Sequence, residues 1–457
     1  MTRTHTHDAA GHALSGATVD AALLFEQASH ELRCLIDDPL ATIDRAIAAA
    51  PAMAMAHALR AWLHLLGTEP AALNEAAACA TRAAANAGTE REALHARAAG
   101  LVAAGAWREG ARVLEDLSAR YPRDALALQV GHQIDFFTGD SRMLRDRIAR
   151  ALPQWSEALP GYHALLGMHA FGLEETGDYT QAERQGRRAI ELEARDTWAW
   201  HAVAHVHEMR NDPVAGIVWL EPNASHWSTG SFFAVHNWWH LALFKLEHDR
   251  HDEVLALYDR SIGGPGSTIV LDMIDQSALL WRLYLRGVDV GSRFEALAER
   301  WAPIAAAGTY AFNDLHAMIA FAGAGRDADQ RRVLDAQRAA LERGGDNRAF
   351  TAEVGQAATQ AVQAFAAGDY AAVVRLLRPV RSYAHRFGGS HAQRDLLDLT
   401  LVEAALRGGD PALGAALARE RAMLKPASPL AGRLVQRATG TTDLCRARAG
   451  VEPALAA

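Results

Sequence analysis

Cysteine is scarce in this chain, lysine is nearly absent and long apolar runs are missing. Only Cys34, Cys79 and Cys445 occur in 457 residues. They are far apart and odd in number, which excludes a disulfide-built scaffold and a CxxC metal motif and points to a reducing, cytoplasmic compartment. Of 46 basic side chains only Lys245 and Lys425 are lysine, and the formal net charge is -8. No global basic field is therefore available to bind nucleic acid by counterion release. The most apolar stretch, residues 231–244, contains His236, Asn237 and His240 and is too short and too polar to span a bilayer. Residues 1–16 have no apolar core of a secretory signal. A P-loop, an HExxH pair and a GxSxG elbow are all missing, so nucleotide and common hydrolase mechanisms have no support.

Strand patterns are also wanting. Alternating Val, Ile and Thr never extend far, whereas Ala, Leu, Arg, Glu and Gln fill windows at helical period. Turns built on Gly, Asn or Asp recur at Gly105, Gly139, Gly177, Asn211, Asp249, Gly287, Gly325, Gly368 and Gly409, at intervals of 34, 38, 34, 38, 38, 38, 43 and 41. One helix before each turn and one after it, at such a period, is the signature of tetratricopeptide-like helical hairpins. The Gly supplies a left-handed C-terminal cap for the first helix, and an Asp behind it an N-cap for the second. The pattern predicts an all-α, right-handed α-solenoid of about nine or ten degenerate hairpins over residues 19–426. It leaves a flexible segment over 1–18 and a C-terminal helix or tail over 427–457.

In such arrays the first helices line the concave face and the second helices the outside. The unusual polar residues fall on first helices: His163 and His169; His201, His205 and Glu208; His236, Asn237 and His240; Asp272 and Asp275; Asn313 and His316; Gln393 and Arg394. Two spacings are sharper than the rest. His201 and His205 stand four apart, as do His236 and His240 on the next first helix, so each pair can aim two imidazoles at one point. Neighbouring helices pack about 8 to 10 Å apart, a gap that both pairs could bridge around one or two ions of zinc, copper, iron or nickel. The same imidazoles can instead serve as structural partners of buried backbone or carboxylates. Asp272 and Asp275, three apart in an apolar helix, need partners if buried, with His240, His316, Arg282 and Arg394 the candidates.

Several of these segments together resemble the tetratricopeptide repeat protein 38 family. The likeness is carried by residues 201–208 (HAVAHVHE), 235–243 (VHNWWHLAL), 271–283 (LDMIDQSALLWRL), 312–318 (FNDLHAM) and 388–395 (GGSHAQRD), with shorter matches at 14–16 and 56–61. It runs from about Leu14 to Leu399. The family has bacterial and animal members and no settled activity, so the resemblance implies a fold, not a reaction, and transfers no catalytic residue.

Two functions follow as expectations. In the first, the concave face binds a protein, a peptide or a small polar molecule, with His163, His169, Asn237, Asn313 and Gln393 in contact. In the second, His201, His205, His236 and His240 hold a transition metal ion such as zinc, iron or copper. Glu208, Asp272 or Asp275 then serves as base in a hydrolase- or oxidase-type enzyme; a metal-free enzyme using Asp272, Asp275, His316 and Arg394 is the further alternative. Neither nucleic acid nor membrane is expected as a partner.

Overall fold

The computed structural model describes residues 6–264, 266–408 and 410–440. Among them are 25 α-helices, of which 22 form eleven hairpins from Val19–Cys34 with Pro39–Ala49 to His391–Arg407 with Pro411–Leu424, with the short helices Ala224–Ser228 and Asp346–Phe350 between hairpins and Pro429–Thr439 closing the series. The turn chemistry read from the sequence sets these pairs. Gly105, Gly139, Gly177, Gly287, Gly325 and Gly368 all have positive φ, and Asn211 and Asp249 take the same left-handed conformation at their turns. Asp140, Asp178, Asp212, Asp369 and Asp410 then cap the following helix through a backbone N–H three residues on. Gly409 lies outside the described residues.

First helices are buried almost all round. In Val270–Leu285 every residue but Leu271 and Tyr284 is buried, and Thr197–Met209 is buried from Thr197 to His207. Second helices such as Tyr179–Leu192 bury only a small-residue stripe, Ala182, Gly186 and Ala189, and turn Arg and Glu outward. A helix that is covered on every side has neighbours beyond its own hairpin, and here they come from far along the chain.

The array is curled tightly enough to meet itself. Asn313 Nδ2 donates to the hydroxyl and carbonyl of Thr68, and the N–H of Val270 donates to Glu69 Oε1. Tyr310 donates to the Phe137 carbonyl, and Lys425 pairs with Glu208 at 2.9 Å. Among the described residues the inner face is packed against itself rather than left as an open groove. Residues 6–18, expected to be loose, form a short hairpin of Thr6–His7 and Ala13–Leu14 with Leu14 and Ser15 buried. Residues 441–457, and with them Cys445, lie outside the described residues. No helix among the described residues is long and apolar enough to cross a membrane.

Two glycines test this closure. Both Gly139 and Gly177 have positive φ, but a Cβ on Gly177 meets nothing, whereas one on Gly139 runs into the His385 carbonyl of a distant repeat. Gly177→Ala should cost about 1 to 2 kcal/mol of backbone strain. Gly139→Ala should cost a further 1 to 3 kcal/mol from overlap. Urea unfolding of the two variants gives the comparison, and equal losses would contradict the contact.

Candidate functional site

Two neighbouring first helices carry the site, and their starts are locked to each other. Asp196 caps Thr197–Met209 by accepting from the N–H of Ala199. Asn237, one turn into Ala234–Glu247, donates to the Thr197 carbonyl at 3.3 Å. That bond fixes the relative height of the helices and sets the HAVAH and HNWWH pairs side by side. Asn237, expected to touch a ligand, is a positioning residue.

The four imidazoles meet. Ring centroids are 4.4 Å apart for His201 and His205, 4.8 Å for His201 and His236, 4.5 Å for His205 and His240, and 4.9 Å for His236 and His240. One nitrogen from each of the four lies within 4.8 Å of the others. His201 Nε2 and His236 Nε2 are 3.1 Å apart. Two nitrogens bound to one ion at about 2.0 to 2.1 Å, at angles between square and tetrahedral, stand about 2.9 to 3.4 Å apart. The His201–His236 pair stands at that spacing, and the other two rings bring their nitrogens within 4.8 Å of it.

Burial makes the cluster costly on its own. His201, His205 and His240 are at most 2% exposed. Burial first, and then the neighbouring imidazoles, hold their pKa values well below the ordinary histidine range, so they are neutral and ready to bind metal. His201 Nδ1 and both nitrogens of His205 and of His240 have no hydrogen-bond partner. Each such buried orphan costs about 1 to 3 kcal/mol. A structural histidine network would satisfy these atoms; a single ion, taking one nitrogen from each ring, would satisfy one of the two orphans on His205 and one of the two on His240.

Carboxylates stand behind two of the rings. Asp275 Oδ2 accepts from His236 Nδ1 at 2.8 Å, and Glu174 Oε2 sits 3.5 Å from His205 Nδ1. The Asp275–His236 bond is the carboxylate–histidine arrangement that orients metal ligands and raises their basicity, whereas Glu174 lies beside His205 without a hydrogen bond to it. Glu174 is fully buried and its oxygens lack partners. Burial and the adjacent Glu175 push its pKa up, a strain that a cation beyond His205 would relieve. Glu175 is held separately, by Arg394 and by the N–H of His391.

One side of the cluster opens into a cavity of ≈ 210 Å³, with His201 and His236 in its floor. Asp272, Asp275 and Gln393 reach it, and its walls are apolar: Leu32, Leu35, Leu63 and Leu66 from the first two hairpins, Phe136, Phe137, Phe171 and Trp198 from the middle. Phe232 and Ile269, 41% and 46% exposed, stand at its mouth. Burial pushes Asp272 up to about 6.

Other predicted residues lie elsewhere. Glu208 is taken up by Lys425, so the base expected beside the histidines is not there. His316 donates from Nδ1 to the Phe312 carbonyl at 2.8 Å, and burial pushes it down to about 4. Arg394 binds the Gly389 carbonyl and Glu175, away from the cavity. His169 meets Gln185 on the outer side, and Asn313 belongs to the ring closure. His163 pairs with Asp196 at 2.8 Å and joins His30 and Cys34 in a separate group. Glu174 went unnoticed in the sequence, although a Glu–Glu doublet ending an apolar helix is a visible sign of a buried carboxylate.

These elements define an all-α solenoid of helical hairpins whose curled interior holds one polyhistidine cluster and the cavity above it. No family model matches the chain. Among solved structures it is similar to the yeast Tom70, at 13% identity over 94% of this chain and 97% of that one, with a TM-score of 0.33. It is also similar to the Cut9–Hcn1 heterotetramer of APC/C, at 12% identity over 92% and 96%, with a TM-score of 0.35. A third similarity is to Naa15/Naa10 bound to HypK, at 13% identity over 94% and 67%, with a TM-score of 0.24. At those scores the solenoid assignment rests on the chain's own helices.

Proposed function

We propose that this chain is a metal-dependent enzyme that holds one transition metal ion on His201, His205, His236 and His240 and acts on a small molecule in the cavity above it. The reading is carried by one observation: five imidazole nitrogens are buried without partners among four rings that converge within 4.8 Å. Neutral imidazoles suit zinc, copper, iron and nickel. His201 and His236 line the cavity, so a bound ion able to take a fifth ligand would offer a Lewis-acidic position to whatever enters. Asp275 orients His236, Glu174 stands beside His205, and Asp272, the carboxyl beside the cavity without an ion pair, is the candidate acid–base. The packed interior favours a small ligand over a peptide laid along a groove.

The test is metal analysis of untagged protein, followed by cobalt(II) titration of the metal-free form. One equivalent of metal, with cobalt absorption bands typical of imidazole ligands, is the expected result. Less than about 0.1 equivalent of any transition metal, with no cobalt spectrum on reconstitution, rejects the reading.

A further inference from the structure

The cavity has a chemical polarity of its own. Its ionised side chains are all of one sign: Asp272 and Asp275 reach it, while neither lysine nor arginine lines it. Asp275 is engaged by His236. Asp272 has no ion-pair partner; it sits at the polar end, 8% exposed, one helical turn from Asp275. Aromatic rings also line it, with Phe171, Trp198 and Phe233 packed together at centroid distances of 5.1 Å and 5.5 Å. Such faces favour the apolar body of a ligand. Asp272 has a hydrogen bond from Ser267 but no counter-charge; a neutral or anionic ligand would leave its carboxylate desolvated without one, whereas an ammonium would supply it.

We infer that the ligand of this cavity is a primary amine with a compact apolar body, its ammonium on Asp272 and its hydrocarbon against Phe171, Trp198 and Phe233. The size agrees. An apolar cavity of about 150 Å³ accepts benzene, so ≈ 210 Å³ takes an aromatic ring with a two- or three-atom tail. The inference rests on the cavity being the binding site, as proposed above, and is independent of which metal the histidines hold.

Calorimetry with three matched probes decides it: 2-phenylethylamine, 2-phenylethanol and 3-phenylpropionate, each on metal-free and on zinc-loaded protein. The amine should bind at least tenfold more tightly than the alcohol to both forms, and the carboxylate more weakly than either. Asp272→Asn should bring the amine down to the level of the alcohol without changing alcohol binding, a pattern that a misfolded variant cannot produce. Leu66→Trp, which fills the cavity from the second hairpin, should remove all three.

Equal binding of amine and alcohol, an amine preference that survives Asp272→Asn, or tightest binding of the carboxylate in either form overturns the amine assignment and leaves the cavity standing. Binding of none of the probes, or binding untouched by Leu66→Trp, overturns the cavity reading and the inference with it. The metal content is measured on the same samples and reports separately on the histidine centre.

Discussion

His240→Leu is expected to abolish metal binding while leaving the metal-free protein as stable as the parent or more so. Leucine has nearly the volume of histidine and removes two buried nitrogens that have no partner. The large-to-small penalty does not arise, and the desolvation cost of the imidazole is relieved. A histidine serving the fold through hydrogen bonds would give the opposite result, a loss of about 1 to 3 kcal/mol without metal. On the metal side, removing one of four ligands should weaken cobalt(II) binding by more than about 100-fold. Asp275→Asn, which acts through His236, should cost about 10- to 100-fold. His316→Leu serves as the control, because its ring lies outside the cluster, and should leave affinity unchanged. Thermal unfolding at a metal concentration about 1,000 times the parent's Kd should show a gain of about 4 kcal/mol in the parent and less than about 1.4 kcal/mol in His240→Leu. An unaltered gain in the variant would remove His240 from the ligand set.

The second large effect lies in the core of the ninth hairpin. Burial pushes Asp314 up to about 7, and its Oδ2 has no partner beside Gln337, whose Oε1 also lacks one. A carboxylate cannot donate to that oxygen, whereas a protonated carboxyl or an asparagine can. The linkage has a definite sign. Below about pH 4 the group is protonated both folded and unfolded and has no effect. Between about 4 and 7 the unfolded chain ionises while the folded one holds its proton, so stability falls as pH rises, by about 4 kcal/mol at most. Above about 7 the loss levels off. Asp314→Asn should therefore match the parent near pH 4 and exceed it by about 1 to 3 kcal/mol at pH 8, read from urea unfolding at both values. A gain that is the same at the two pH values would show that the carboxyl is not the cause.

The hairpins and the histidine pairs were legible in the sequence for the same physical reason: both are local. A Gly or Asn turn followed by an Asp cap declares itself within a few residues. Two histidines four apart on each of two consecutive first helices must share a face. The cavity was not legible, because its walls come from residues as far apart as Leu32 and Gln393, and no helical period reveals how tightly an array curls. The same blindness misassigned Glu208. Its position beyond His205 on one helix is a local fact, but its partner Lys425 comes from 217 residues away. Arg394 and His316 were grouped with the aspartates because all lie on first helices. Curvature sends those positions to different neighbours.

The bonds that close the curl also change what kind of object the solenoid is during its synthesis and its loss. In an open array each repeat leans only on the next, so folding spreads from one end and a truncated chain keeps most of what it has made. Here Thr68 waits for Asn313, Glu69 for Val270, and Glu208 for Lys425. A ribosome-bound chain that has already emitted all four histidines has them on helices whose covering partners do not yet exist. The cavity acquires its last polar lining only with Ser390 and Gln393, so an interrupted chain can present imidazoles to solvent but never a finished site.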